Sequence, residues 1–272
     1  MQKTLKLVSA LSLAGVLAAC GGGGGGDPAP AAATPAPTPT AVANTGTVSA
    51  QYVAGTTPRF MLLSAGSSAT GPAAPAVQNA AGVMTTLGTN TLTGSPTATK
   101  EIAGDTTYAQ GRWVQGTVTT SSGASTLTGS SNNAYHYVVH NQLATFPATA
   151  TVTCSAARLT APTYISGGAA GVATAAGTAT GTGTLSFGAT GAAVSVTVNA
   201  AASGSSGSVT GTSTIASPTA TNITGNFLGG GAGTQLTVAD GGAMGMYTVV
   251  AGYKVALANG ALHQGVATFH CM

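Results

Sequence analysis

The side chains able to do acid–base, nucleophilic or metal chemistry are few. Four histidines occur: His136, His140, His263 and His270. His136 and His140 are four apart, a spacing that on a helix would let them share an ion. The intervening Tyr137-Val138-Val139 reads as strand, where positions four apart lie ~13 Å from each other, too far for one ion to bridge. His270-Cys271 would be half a metal site if His263 joined it, but no ligand spacing supports that. No metal and no cofactor is expected. The acids are Asp27, Glu101, Asp105 and Asp240. Glu101 and Asp105 stand beside Lys100 in what reads as a solvated loop, and Asp240-Gly241-Gly242 is a turn signature. No serine sits in a nucleophile elbow. The glycines at 21–26 follow no strand and precede no Lys-Ser/Thr, so they form no phosphate loop. Catalysis needs ionisable groups with shifted pKa values held in a cleft; a chain this poor in them is not expected to be an enzyme. Trp113 has two readings: the anchor of a core, or, with Arg112 and Tyr108, part of a binding rim. The first is preferred, because one large side chain would fill a barrel otherwise lined with Val and Ala.

The elements that must position these residues follow from composition. Charged residues are 4% of the 272, aromatics 5%, and glycine numbers 41. Ordinary domains carry ~25% charge, so this surface must be solvated by Thr, Ser and Asn. Thr favours strands and Gly favours turns, which points to an all-β chain. Of seven basic residues, Lys3 and Lys6 lie in the N-terminal segment, leaving 7 − 2 = 5 against four acids, about +1. Five scattered cations cannot neutralise a phosphate track, so no nucleic-acid partner is expected.

Residues 1–20 read MQKTLKLVSALSLAGVLAAC. Lys3 and Lys6 form a positive start. Leu7 to Leu17 form an apolar run of signal-peptide length, too short for the ~20 residues of a spanning helix. Leu17-Ala18-Ala19-Cys20 resembles the lipobox of bacterial lipoproteins. The resemblance implies cleavage before Cys20, a diacylglycerol on its thiol and usually an acyl chain on its new amine, which together anchor a polar domain to a membrane. Gly21–Gly26 and the Pro/Ala/Thr stretch to about residue 44 read as a flexible, extended linker. Gly rather than Asp at position 21, by resemblance to Gram-negative sorting, favours the outer membrane, on the cell surface or the periplasmic face. With Cys20 in the anchor, Cys154 and Cys271 remain. Outside the cytoplasm such a pair is usually oxidised, so a disulfide between the third barrel strand and the C-terminus is expected, the alternative being two free thiols.

Residues 45–105 read as a small irregular β region: Arg59 to Leu63 is a strand, and 64–98 is loose, punctuated by Pro72, Pro75 and Pro96. From 106 to 272 strands come steadily at Tyr108–Thr119, Ala134–His140, Ala148–Ser155, Gly181–Phe187, Ala193–Asn199, Ser208–Ile215, Asn222–Leu228, Thr234–Ala239 and Met246–Val250. In Ala193–Asn199 the valines 194, 196 and 198 share one face, the period-2 pattern of a half-buried strand. This suits an antiparallel up-and-down barrel of about eight strands, or a sandwich.

Thr182-Gly-Thr-Leu-Ser-Phe187, Gly207-Ser-Val-Thr-Gly211 and Ile223-Thr-Gly-Asn-Phe-Leu-Gly229, ending in Gly241-Gly242, resemble the C-terminal barrel of transferrin-binding-protein-like surface lipoproteins. Gly111-Arg-Trp113 and Tyr135-His-Tyr-Val-Val139 are similar to barrel strands of related proteins. The resemblance covers roughly 106–258 and implies an eight-stranded barrel on the cell surface. It does not carry over transferrin binding. Pore strands need ~9–11 residues and aromatic girdles, so a water-soluble barrel on a lipid is expected. The function that follows is an outer-membrane lipoprotein binding a protein or small ligand, in iron or other nutrient acquisition or host contact, with ligand residues unassigned. The alternative is a structural or adhesive surface protein without a discrete site, a parallel β-solenoid being its expected form.

Overall fold

Alternation of Val with Thr or Ser, broken by Gly turns, makes the meander β11 (Thr178–Gly188), β12 (Gly191–Ala202) and β13 (Ser205–Ile215). Every second residue enters the core: Leu185, Val194, Val196 and Val198 are buried. The other face carries hydroxyls in register, with Thr182, Thr197 and Thr210 side by side and Thr197 Oγ1 2.8 Å from Thr210 Oγ1. That polar outer face is the opposite of the apolar band of a membrane barrel.

The computed structural model describes residues 42–65, 67–130, 132–168, 175–218 and 236–272, all within the compact unit Pro39–Met272. Cys20, its leader and linker, and the strand expected at Asn222–Leu228 lie outside the described residues. The described chain is all-β and antiparallel, in two curled eight-stranded sheets. The first holds β1 (Pro58–Ser64), β2 (Ser67–Pro72), β3 (Ala76–Gln78), β4 (Met84–Leu87), β5 (Asn90–Gly104), β6 (Tyr108–Thr120), β7 (Gly123–Thr128) and β8 (Tyr135–Asn141), in the order β2-β1-β8-β6-β5-β4-β3 with β7 on β6. Its end strands, β2 and β3, are separated by residues 73–75 alone, a reach of ~10 Å, so the sheet must curl until its edges approach. It wraps Phe60, Leu62, Met84, Leu87, Trp113 and Tyr137.

The second sheet adds β9 (Ala150–Leu159), β10 (Thr163–Gly167), β14 (Leu236–Asp240), β15 (Tyr247–Ala256) and β16 (Ala261–Cys271), in the order β13-β12-β11-β9-β16-β15-β14 with β10 on β16. Its β13 edge returns to the β15–β16 turn, where Ala258 N donates to Ser206 O at 2.9 Å and Asn259 N to Ser205 Oγ at 3.0 Å. The sheet is thus nearly closed.

The all-β, antiparallel class is as expected, and the structure adds its details. One nearly closed, barrel-like antiparallel sheet is present, and a second curled sheet precedes it. They divide between Asn141 and Ala150, whereas the expected boundary at 105/106 falls between β5 and β6, which pair along most of their length. The loose stretch 64–98 contains β2, β3, β4 and the start of β5, strands too short or too polar to show alternation. The folded region also begins before residue 45: Val42 N donates to Gln115 Oε1 and Asn44 Oδ1 accepts from Thr99 N, each at 2.8 Å. No described strand pair is parallel, so the solenoid form is not this fold.

β1, β8, β15 and β16 are buried on both faces. Phe60, Leu62, Tyr137 and Val139 face the first core, and Val249, Tyr253, Ala267 and Phe269 the second. Their alternate residues, Met61, Leu63, Val138, Val250 and Val266, join Ala239 in an apolar seam between the sheets. In each sheet a tyrosine lies over a glycine on the neighbouring strand: Tyr137 over its partner Gly111, and Tyr253 over its partner Gly265. Cys154 on β9 and Cys271 on β16 are cross-strand partners joined by a disulfide 117 residues apart; β9 is the first strand of its sheet.

Two measurements follow. Replacing both Cys154 and Cys271 by Ala lowers unfolding free energy by about 5 kcal/mol in urea titration if loop entropy dominates. A Cβ on Gly111 would stand 2.6 Å from Tyr137 Oη and 2.9 Å from its Cζ. Gly111→Ala is therefore expected to destabilise by ~1–3 kcal/mol, the range for overpacking.

Candidate functional site

Two β-bulges face each other between the sheets. On β5 the register against β6 slips between Lys100 and Ala103, and Glu101 takes φ 51°. On β9 the register against β16 slips opposite Thr268–His270, and Ala156 takes φ 48°. The only other described non-glycine residue with positive φ, Ser203, sits in a hairpin turn. Left-handed backbone at a non-glycine residue is unfavourable and tends to mark functional sites, and bulges re-aim side chains. Between these bulges, above Gly46–Ser49, lies a cleft of about 680 Å³, a size that suits small molecules. Its polar walls are Glu101, Asp105, Tyr108, Gln110, Arg158 and His270, with Met246 and Met272 beside them.

Charge concentrates here. The described residues include Arg59, Lys100, Glu101, Asp105, Arg112, Arg158, Asp240 and Lys254. Three of these line the cleft, and Arg112 is tied to one of them. Arg112 Nε donates to Glu101 Oε2 and Nη2 to Oε1, both at 2.8 Å, a bidentate pair. Asp105 Oδ1 accepts from Thr107 N at 2.7 Å and Thr107 Oγ1 at 2.6 Å. The rings of Tyr108 and His270 meet at 4.9 Å. Burial, then the nearby Asp105 carboxylate, holds the Tyr108 phenol above its ordinary pKa. Burial pushes the His270 imidazole down; Asp105 opposes that shift and Arg158 adds to it. Gln110 Oε1 accepts from Thr268 Oγ1 at 2.7 Å, tying the two walls together.

Glu101 and Asp105, expected on a solvated loop, therefore stand in the cleft, Glu101 on β5 and Asp105 just after it. The rim reading of Tyr108-Arg112-Trp113 separates by face. Trp113 is fully buried in the first core, its Nε1 donating to Met84 O at 2.8 Å, while Tyr108 and Arg112 point the other way. Asp240 closes a turn, accepting from Gly242 N at 2.8 Å. Arg158 and Gln110 were not singled out in the sequence. A bulge aims the first and inter-sheet packing buries the second, and neither is signalled locally.

The remaining histidines do not join the cleft. His136 Nδ1 lies 2.7 Å from Thr160 Oγ1 and Nε2 2.7 Å from Thr163 Oγ1. His140 is buried four positions along the same strand, and His263 packs against the Tyr164 ring at 5.8 Å. Among the described residues no three of His, Cys, Asp or Glu gather as metal ligands do. Burial, aided by Arg112, holds His136 far below the usual imidazole range, and burial lowers His140 to about 4. The chain matches no family model, no curated protein and no solved structure.

Neutral His136 and His140 make stability depend on pH. The unfolded imidazoles bind protons near pH 6.5, the folded ones only at lower pH. Between pH 6.5 and about 4 the unfolded state holds more protons, so stability falls as pH falls. Two such groups give a slope of up to about 2.7 kcal/mol per pH unit. Urea unfolding at pH 7.5, 6 and 5 is expected to show this loss, and His140→Leu to reduce the slope.

Proposed function

We propose that the chain is an exported lipoprotein, acylated at Cys20, that carries its two-sheet domain at the outer membrane on the cell surface and binds a small polar ligand in the inter-sheet cleft. The observation that carries export is the Cys154–Cys271 bond, since structural disulfides persist outside the reducing cytoplasm. The lipobox-like Leu17-Ala18-Ala19-Cys20 and its Gly/Pro linker support an acyl anchor over a spanning segment. Resemblance to transferrin-binding-protein-like lipoproteins supports surface exposure and a part in nutrient acquisition. Of the motifs behind it, those on β11 and β13 lie on regular strands, and Ile223–Gly229 lies outside the described residues.

Binding is favoured over catalysis because the partners that the structure gives the cleft's acids are not histidines. Glu101 is held by Arg112, and Asp105 caps Thr107. Among the described residues neither makes a hydrogen bond or ion pair to a histidine, as the acid of a carboxylate–histidine pair does.

The test is growth with labelled palmitate followed by protease treatment of intact cells. The full chain is expected to take up label and lose its domain to the protease, and Cys20→Ser to remain unlabelled and uncut. A Cys20→Ser chain that is processed and stays with membranes without attached fatty acid would overturn the anchor; full protection in intact cells would overturn surface exposure.

A further inference from the structure

The cleft holds two pairs of opposite charges, and they are not equivalent. Glu101 and Arg112 satisfy each other through two hydrogen bonds. Asp105 and Arg158 do not pair among the described residues. Asp105 spends Oδ1 on Thr107 and leaves Oδ2 without a hydrogen bond among the described residues. Arg158, exposed on β9, has no ion pair among them either. Both line the cleft together with Tyr108 and His270, whose rings are in contact at 4.9 Å. A negative group on the first sheet and a positive group on the second thus flank one aromatic pair. The two walls are tied by the hydrogen bond from Thr268 to Gln110, and each carries a bulge.

We infer that the cleft binds a zwitterion, an amino acid or short peptide with free ends, whose carboxylate meets Arg158 and whose ammonium meets Asp105 Oδ2. This rests on the ligand-binding reading above and names its ligand class. The walls select it by exclusion. A simple anion would bring Asp105 a like charge, a simple cation would do the same to Arg158, and an apolar ligand would strip water from both without replacing it. A zwitterion satisfies both ends, and the planar guanidinium of Arg158 suits a carboxylate. Glu101, Arg112, Asp105 and Arg158 sum to zero charge, which matches a ligand with none. Met246 and Met272 give an adaptable rim, so the ends of the ligand matter more than its side chains.

The test uses the full chain with its methionine methyl groups labelled for NMR, Met246 and Met272 reporting from the cleft. The probes are alanyl-alanine, its N-acetyl form and its C-terminal amide, which share a body and differ in charge. The unblocked dipeptide is expected to shift these methyls saturably, and each blocked form to bind about tenfold more weakly or worse, the loss for one charged hydrogen bond. Arg158→Gln should abolish discrimination between dipeptide and amide, and Asp105→Asn, which keeps an acceptor for Thr107, discrimination between dipeptide and acetyl form. Equal binding of all three probes would overturn the zwitterion inference and leave a ligand cleft standing. No shift with any probe would overturn both.

Discussion

The burial of four strands on both faces is the constraint from which the rest of the structure follows. β1, β8, β15 and β16 each give one set of side chains to their own sheet and the other to the seam. A curled sheet of this size covers only its inside. With so little charge, an outer apolar stripe such as Met61-Leu63 or Val250 can leave water only against another sheet. The seam mixes that apolar patch with buried polar groups, and these have to be neutral. His136 keeps two threonine hydroxyls as partners, each at 2.7 Å. An imidazolium there would be a charge in a dry interface beside Arg112.

Where the seam opens, four of the eight charged residues described gather: Glu101, Asp105, Arg112 and Arg158. Ionisable groups are stable only where water or a partner reaches them. The interior of each sheet is filled with Val, Leu and aromatic rings, and the outer face of β11–β13 with hydroxyls. The cleft margin is where a carboxylate and a guanidinium can each stay partly wet while shaping a concave surface. The bulges at Glu101 and Ala156 interrupt the regular pairing of their strands at this margin.

β12, with one solvated face, was legible in the sequence through its alternating valines, and β6 and β8, though largely buried, through their aromatic and β-branched runs. The disulfide was legible too, because two cysteines remained once Cys20 was set aside. β16 was not. Its residues, Ala-Leu-His-Gln-Gly-Val-Ala-Thr-Phe-His-Cys, are nearly all buried, on two faces, and double burial erases the alternation that betrays a strand. The two-sheet division was hidden for the same reason, since seam residues such as Met61 and Val138 look like core residues of a single barrel. Of the cleft, the sequence yielded Glu101, Asp105, Tyr108 and His270 as separate observations. Glu101, Asp105 and Tyr108 share one hairpin, but His270 lies near the other end of the chain, and only the packing of β5 and β6 against β9 and β16 brings it to them, with an arginine that nothing nearby distinguished.

The hydroxyl rows on β11, β12 and β13 also affect how the molecule meets its surroundings. A surface kept wet by lysine and glutamate carries an ion atmosphere whose reach changes with dissolved electrolyte. Rows of Thr and Ser, paired like Thr197 and Thr210, carry no such atmosphere. This face keeps the same hydration in brackish and fresh media, and it neither draws in nor repels passing polyelectrolytes.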